Sequence, residues 1–302
     1  MSRLQLIVQE FFCDLHNAGL GGVILHHFEF EDGGDIDFCV NSRGLHLFLE
    51  VLRSCLGRRE WDVIQVLEHE QSGAYVVCGP AAGSGDFLLL DYCEDYRIRG
   101  HVVLQQDEML KDQRDLSWGG NGASELVELS YRFVKAAAKK KDPSGVRKDL
   151  EDLWVKEEMS FRAWLKDRWG LRMETWTDSS VEEALSDLQS MLKKRRWSLG
   201  ELRLKLNRFL SPRGLLVECG QEDHEKLKAA IAPCFRKVET EPSSLRGVMG
   251  STLILVRPGR VRGLRKWILN RMDCWLEASS GPDVGKFLVK RTASYHGWEQ
   301  DV

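Results

Sequence analysis

The stretch Gly33-Gly34-Asp35-Ile36-Asp37-Phe38-Cys39-Val40 constrains this chain more than any other. Two aspartates stand one residue apart at the opening of an apolar run, just after a glycine pair suited to a turn. Side chains alternate along a β-strand, so Asp35 and Asp37 project together while Ile36 and Phe38 turn into a core. Two carboxylates held side by side repel unless a cation lies between them. A hard divalent ion such as Mg²⁺ suits that position, because it takes carboxylate oxygens and keeps open positions for phosphate. Such a site needs a third carboxylate. On the residues alone, the alternative is an exposed strand start with two solvated acids.

A chain of 302 residues is long enough for two domains, each with its own core. A formal net charge of −3 supplies no global field for nucleic acid, which is therefore not an expected partner. No apolar run approaches the roughly 20 residues of a membrane span, so no transmembrane segment is expected. Acidic residues interrupt the apolar segment near the N-terminus, which lacks the layout of a signal peptide. Cys13, Cys39, Cys55, Cys78, Cys93, Cys219, Cys234 and Cys274 form no Cys-x-x-Cys pair, and most lie in apolar runs. They read as small buried hydrophobes in a reducing compartment, not as a zinc site or disulfide frame, and the expected location is cytoplasmic.

Along the chain, Leu4, Ile7, Val8, Phe11, Phe12 and Leu15 recur at helical spacing and predict a helix over 3–18. A strand is expected over 23–30. It would hold His26 and His27 on opposite faces, so at most one of them approaches the acidic pair. A second helix follows over 45–56, then strands over 61–67, 74–78 and 86–92. The last strand carries Phe87-Leu88-Leu89-Leu90-Asp91. An aspartate ending such a run is at an edge, paired, or on a metal, because burying it bare costs too much. Asp91 is therefore the third carboxylate, with Asp86 as the weaker substitute.

These features together resemble the nucleotidyltransferase superfamily related to DNA polymerase β. The residues that carry the resemblance are Gly33-Gly34-Asp35-Ile36-Asp37-Phe38, the His69-Glu70 pair, Phe87-Leu-Leu-Leu-Asp91-Tyr92 and Asp95-Tyr-Arg-Ile-Arg-Gly100. Residues 24–140 look like the nucleotidyltransferase-like domains of bacterial surface-polysaccharide loci, which often precede a thymidylate-kinase-like P-loop domain. The resemblance implies two Mg²⁺ ions on Asp35, Asp37 and Asp91. Those ions would hold NTP phosphates for attack on the α-phosphorus by an acceptor hydroxyl. Gly33, Gly34 and Lys135 are the candidate nucleotide contacts. One departure is plain. The superfamily places Gly-Ser at a helix start upstream of the acids, whereas Gly21-Gly22 here precedes an expected strand, so the phosphate grip is altered or absent.

Ser124 is placed to cap a helix over 124–140, with Leu126, Val127, Leu129, Phe133 and Val134 inward. Lys135, Lys139, Lys140 and Lys141 crowd its end, as a solvated terminus or an anion contact. Asp142-Pro143-Ser144-Gly145 marks a break, and helices are expected over 146–171 and 181–210. Their tryptophans (Trp154, Trp164, Trp169, Trp176 and Trp197) read as bundle core. Lys193-Lys194-Arg195-Arg196 is a solvated face or a contact for an acidic partner or membrane surface.

Residues 211–220 read as a turn and then a strand, followed by a helix opening at 221. Where the relatives carry a phosphate-binding loop, Gly220 and Lys226 remain. Glu225 replaces the second glycine there and Leu227 the Mg²⁺-ligating hydroxyl. The region reads as a P-loop kinase remnant unable to bind NTP, or as an unrelated strand–helix pair. Gly281-Pro-Asp-Val-Gly-Lys286-Phe287 is one residue short of such a loop and is rejected. The basic stretch over 257–266 reads as a surface helix or a face for anionic lipid or protein.

The expected fold is α/β (α+β). Residues 1–142 form a small mixed sheet with flanking helices, 143–210 a helical segment, and 211–302 a smaller α/β domain. The expected function is Mg²⁺-dependent nucleotidyl transfer from NTP to an acceptor hydroxyl, as in surface-polysaccharide metabolism. Another protein of the same pathway is a candidate partner. The alternative is a catalytically inactive scaffold built from decayed nucleotidyltransferase and kinase modules.

Overall fold

The structure, a computed structural model, describes residues 3–26, 35–41, 45–70, 73–80, 88–194, 199, 202–203, 215–218, 225, 238–240, 253–256 and 275–277. It is a mixed α/β chain with a mixed sheet and six helices among the described residues. None of these helices is long and apolar enough to cross a membrane.

Helix α1 (Arg3–Asn17) buries Ile7, Val8, Phe11, Phe12 and Leu15, the face its apolar spacing dictates. Strand β1 (Gly22–Ile24) runs antiparallel to β2 (Asp35–Val40), with Val23 opposite Cys39. The expected strand over 23–30 is cut short. The chain bends at Leu25–His26, where the His26 ring turns to Asp37; residues 27–34 lie outside the described part. Helix α2 (Leu45–Gly57) supplies Phe48. Phe11, Phe38 and Phe48 meet ring to ring at 5.3–6.3 Å, and Tyr92 lies 4.8 Å from Phe48. One face of β2, that of Ile36 and Phe38, is therefore covered by α1 and α2. Cys39, on the opposite face with Asp37, joins a second apolar cluster with Val127, Leu129 and Phe133. With both faces covered, Asp37 is only 4% exposed, which replaces the alternative of a solvated acid at that position.

Strands β3 (Trp61–Glu70), β4 (Gly73–Pro80), β5 (Leu88–Cys93), β8 (Arg114–Asp115) and β9 (Asn121–Gly122) complete the sheet, in the order β3-β4-β5-β2-β1-β9-β8. β3 and β4 are longer than their apolar runs because an antiparallel ladder joins them from Trp61–Pro80 to Glu70–Gly73, with register shifts between Val63 and Gln65 and between Glu68 and Glu70. Strands β6 (Tyr96–Ile98) and β7 (His101–Leu104) form a separate hairpin. Its two-residue turn has Arg99 at φ 51° and Gly100 at φ 83°, the paired left-handed geometry that matches strand twist. The short helix α3 (Gln106–Met109) follows, its N-terminus closed by Glu108 accepting from the Gln105 backbone N–H.

Helix α4 (Glu125–Lys139) is capped by the Ser124 hydroxyl, which accepts from the Val127 N–H. Helix α5 (Pro143–Trp169) begins three residues earlier than expected. Asp142 caps it through the Gly145 N–H and Pro143 occupies the first turn, so the residues read as a break are the helix start itself. Hydrogen bonds from the Ser144 hydroxyl and then the Gly145 N–H hold the Asp142 carboxyl below its ordinary range. Helix α6 (Asp178–Lys193) ends where Lys194 leaves the helix at ψ 94°; Leu199, Leu202 and Arg203 are helical again, and the other residues of 195–210 lie outside the described part. Phe133, Phe161, Leu165, Val181 and Leu188 pack among these three helices, and Trp154 stacks on Trp176 at 4.5 Å. The tryptophans are packing groups, as expected, although Trp197 lies outside the described residues. Cys39, Cys55, Cys78 and Cys93 are buried and Cys13 is exposed, all as free thiols. Burial pushes the Cys78 thiol far up, with Asp62 and then Cys55 adding to the effect.

By internal contacts the chain divides into residues 1–51 with 92–198, and residues 52–91 with 199–302. The second unit contains β10 (Leu215–Glu218), β11 (Val238–Thr240), β12 (Leu253–Val256) and β13 (Trp275–Glu277). They form a wholly parallel sheet in the order β11-β12-β10-β13. Most of the 219–228 loop, the basic stretch over 257–266 and the 281–287 segment lie outside the described residues.

Candidate metal centre

Asp35 and Asp37 project from β2 and Asp91 from the neighbouring β5. One carboxylate oxygen from each lies within 4.8 Å of the other two. The alternation that puts Asp35 and Asp37 on one face is the first cause of this geometry. The second is the pairing order, which sets β5 beside β2. Asp37 is buried, while Asp35 and Asp91 are partly exposed.

The Asp37 carboxylate does not stand bare. Its Oδ2 accepts from the Lys135 ammonium at 2.5 Å and from His26 Nε2 at 2.8 Å. Lys135 also donates to the Tyr131 hydroxyl oxygen at 2.5 Å. Tyr131 and Lys135 are four residues apart on α4 and so share a helix face. The His26 ring stacks on the Tyr131 ring at 5.9 Å and 11°, and Tyr96 closes on Tyr131 at 4.6 Å. The hydrogen bond to a carboxylate fixes His26 with its Nε2–H directed at Asp37.

Burial alone would raise the Asp37 carboxyl. The His26 hydrogen bond, then the charge and hydrogen bond of Lys135, outweigh it and hold the group at about 2. An acid whose folded value lies below its unfolded value of 3.8 adds stability that is present above that value and lost as pH falls toward 2. The contribution is about 2 kcal/mol. Urea unfolding of the wild type should therefore weaken more steeply between pH 4 and 2 than that of Asp37→Asn. Parallel slopes would contradict the assignment.

As a donor set the cluster fits a hard divalent cation, since all three groups are carboxylates. No donor among the described residues reaches Asp37 Oδ1, which leaves that oxygen for a metal while Oδ2 is held by protein.

Of the residues singled out in the sequence, Asp35, Asp37 and Asp91 come together and Lys135 joins them. Gly33, Gly34, Asp86 and the side chains of His69 and Glu70 lie outside the described residues. Tyr131 was missed, although its place one helical turn before Lys135 on an inward face was the available signal. A second buried charge was missed as well. Glu128, only 2% exposed, pairs with Arg114 and Arg132, while Glu125 pairs with Arg114 and Lys156. Comparison with protein-family models, curated proteins and solved structures yields no match to this chain.

Proposed function

We propose that this chain is a nucleotidyltransferase-like protein. It would hold Mg²⁺ on Asp35, Asp37 and Asp91 and transfer a nucleotidyl group from an NTP to an acceptor hydroxyl. The observation that carries this reading is the convergence of three carboxylate oxygens within 4.8 Å. In the reaction the acceptor oxygen forms a bond to the α-phosphorus, the bond to the bridging oxygen breaks, and pyrophosphate leaves with that electron pair. Bound Mg²⁺ would supply charge neutralisation along the triphosphate. The chain's own groups have separate tasks. Asp91, partly exposed, would take the acceptor's proton, and Lys135 would hold Asp37 in its charged form.

The test is thermal unfolding with each of the four NTPs and Mg²⁺. A ligand at about 100 times its Kd adds about 2.7 kcal/mol, a shift of several degrees. The shift should appear in the wild type and vanish in Asp35→Ala with Asp37→Ala. The single Asp35→Ala variant, which leaves the Lys135–Asp37 pair intact, should lose it too. An equal shift in all three proteins would remove the site.

A second reading is a non-catalytic scaffold. Two observations favour it. Asp37 Oδ2 is already held by Lys135 and His26. In the parallel sheet, β10 and β12 are neighbours whose onward connections run to opposite edges, a strand order that in open parallel sheets goes with ligand binding at the carboxyl ends. The chain leaving β10 there carries Glu225 and Leu227 in place of the expected glycine and hydroxyl. No thermal shift with any nucleotide would favour the scaffold.

A further inference from the structure

A cavity of about 600 Å³ opens within residues 92–198, away from the groups assigned above. Three chain segments build it: the β6–β7 turn with the first residues of β7, the last turn of α5, and the last turn of α6 with Lys194 just beyond it. Its chemistry is one-sided. Lys194, Arg168, His101 and Ser190 line it, and no carboxylate does. The volume falls within the range that encloses small organic ligands.

The donors are held in different ways. His101 Nε2–H donates to the Lys194 carbonyl at 2.6 Å, which fixes the ring, and the ring meets Trp169 at 6.3 Å with a 39° tilt. Arg168 is oriented by an ion pair to Glu108, which engages one of its terminal nitrogens. Lys194 is exposed and has no carboxylate partner among the described residues. Two helices end here, and their terminal carbonyls would oppose an anion. Arg99 covers the Leu192 carbonyl of α6 and His101 the carbonyl of Lys194 just beyond it, which offsets that field. The placement of Arg99 has its own cost, since a non-glycine residue at φ 51° is strained.

We infer that this cavity binds a phosphate monoester carrying a flat ring, of nucleoside-monophosphate size. The phosphate lies toward Lys194 and Arg168, where charge-assisted hydrogen bonds are strongest. The ring lies against the Trp169 and His101 walls. This gives a role to Lys194, a member of the basic run at 193–196 that the carboxylate cluster does not use.

The test is calorimetric titration of the full chain with AMP in EDTA, with inorganic phosphate and adenosine as separate arms. EDTA keeps divalent ions off the carboxylate cluster, so this experiment succeeds or fails independently of the transferase reading. AMP is expected to bind with a Kd below about 1 mM, at least tenfold tighter than either fragment. Lys194→Glu should weaken AMP binding about tenfold or more, and Trp169→Leu should weaken it several-fold. Ser190→Ala, a smaller change in the same wall, keeps the test informative if Trp169→Leu unfolds, and should weaken AMP binding measurably. Asp35→Ala should bind AMP as the wild type does. The inference is overturned if AMP does not bind, binds no tighter than phosphate alone, or binds Lys194→Glu at wild-type strength. Loss of AMP binding in Asp35→Ala would also overturn it, by locating the ligand at the carboxylate cluster.

Discussion

Lys135→Met is expected to lower the free energy of unfolding by about 3 kcal/mol at neutral pH. Asp37 is nearly sealed from solvent, and the Lys135 ammonium pairs with it beside His26. Methionine keeps most of the stem volume on α4 but leaves a buried carboxylate with His26 alone. The cost is therefore that of an uncompensated charge, with little from packing. Lys135 is 23% exposed, so solvent can reach the vacated position, and the effect stays toward the lower end for buried pairs. The double variant Lys135→Met with Asp37→Asn separates these causes. Removing the stranded charge should restore most of the loss, because the two changes share one interaction. Urea denaturation of the four proteins gives the cycle. A Lys135→Met loss below about 0.5 kcal/mol would mean that the pair is screened like a surface ion pair.

Phe48→Ala should cost about 4 kcal/mol, the larger of the two effects. Phe48 is fully buried and packs against Phe11, Phe38 and Tyr92 at 4.8–5.4 Å. Alanine removes the central ring and leaves a cavity that α1 and α2 cannot both close. The functional consequence follows from strand geometry. Phe38 lies one residue beyond Asp37 on β2, and its ring is held by Phe11 and Phe48. Loosening that face frees the strand that fixes the spacing of Asp35 and Asp37. Phe48→Leu, which refills most of the volume, should cost less than half as much. Equal losses for the two variants would show that the ring contacts, and not the cavity, set the stability here.

Local pattern and long-range structure were legible to different degrees. Helices α1, α2 and α4 were readable because Ile7, Phe11 and Leu15, or Leu129 and Phe133, repeat with the helical period. Asp35 and Asp37 could be placed on one face because alternation is a local rule. Asp91 was found because an acid closing the run Leu88-Leu-Leu90 demands a partner. His26 and Tyr131 were not legible as partners of one another. They are 105 positions apart in the chain, and only the bend after Ile24 brings the imidazole over the ring. Glu128 carried no local signal of burial, since its partner Arg114 comes from the β8–β9 segment. Those two strands, each of two residues, are too short for any periodicity to reveal. The break at Lys194 carries no glycine or proline signal, so the sequence offers no sign that α6 ends there.

The central claim is that Asp35, Asp37 and Asp91 act as one cation site. Its most direct test is Mn²⁺ titration, with free ion followed by electron paramagnetic resonance. The wild type should withdraw Mn²⁺ from solution with a Kd below about 1 mM, and Asp91→Asn should weaken that uptake at least tenfold. Indistinguishable curves for the two proteins, or no uptake by the wild type, would contradict it.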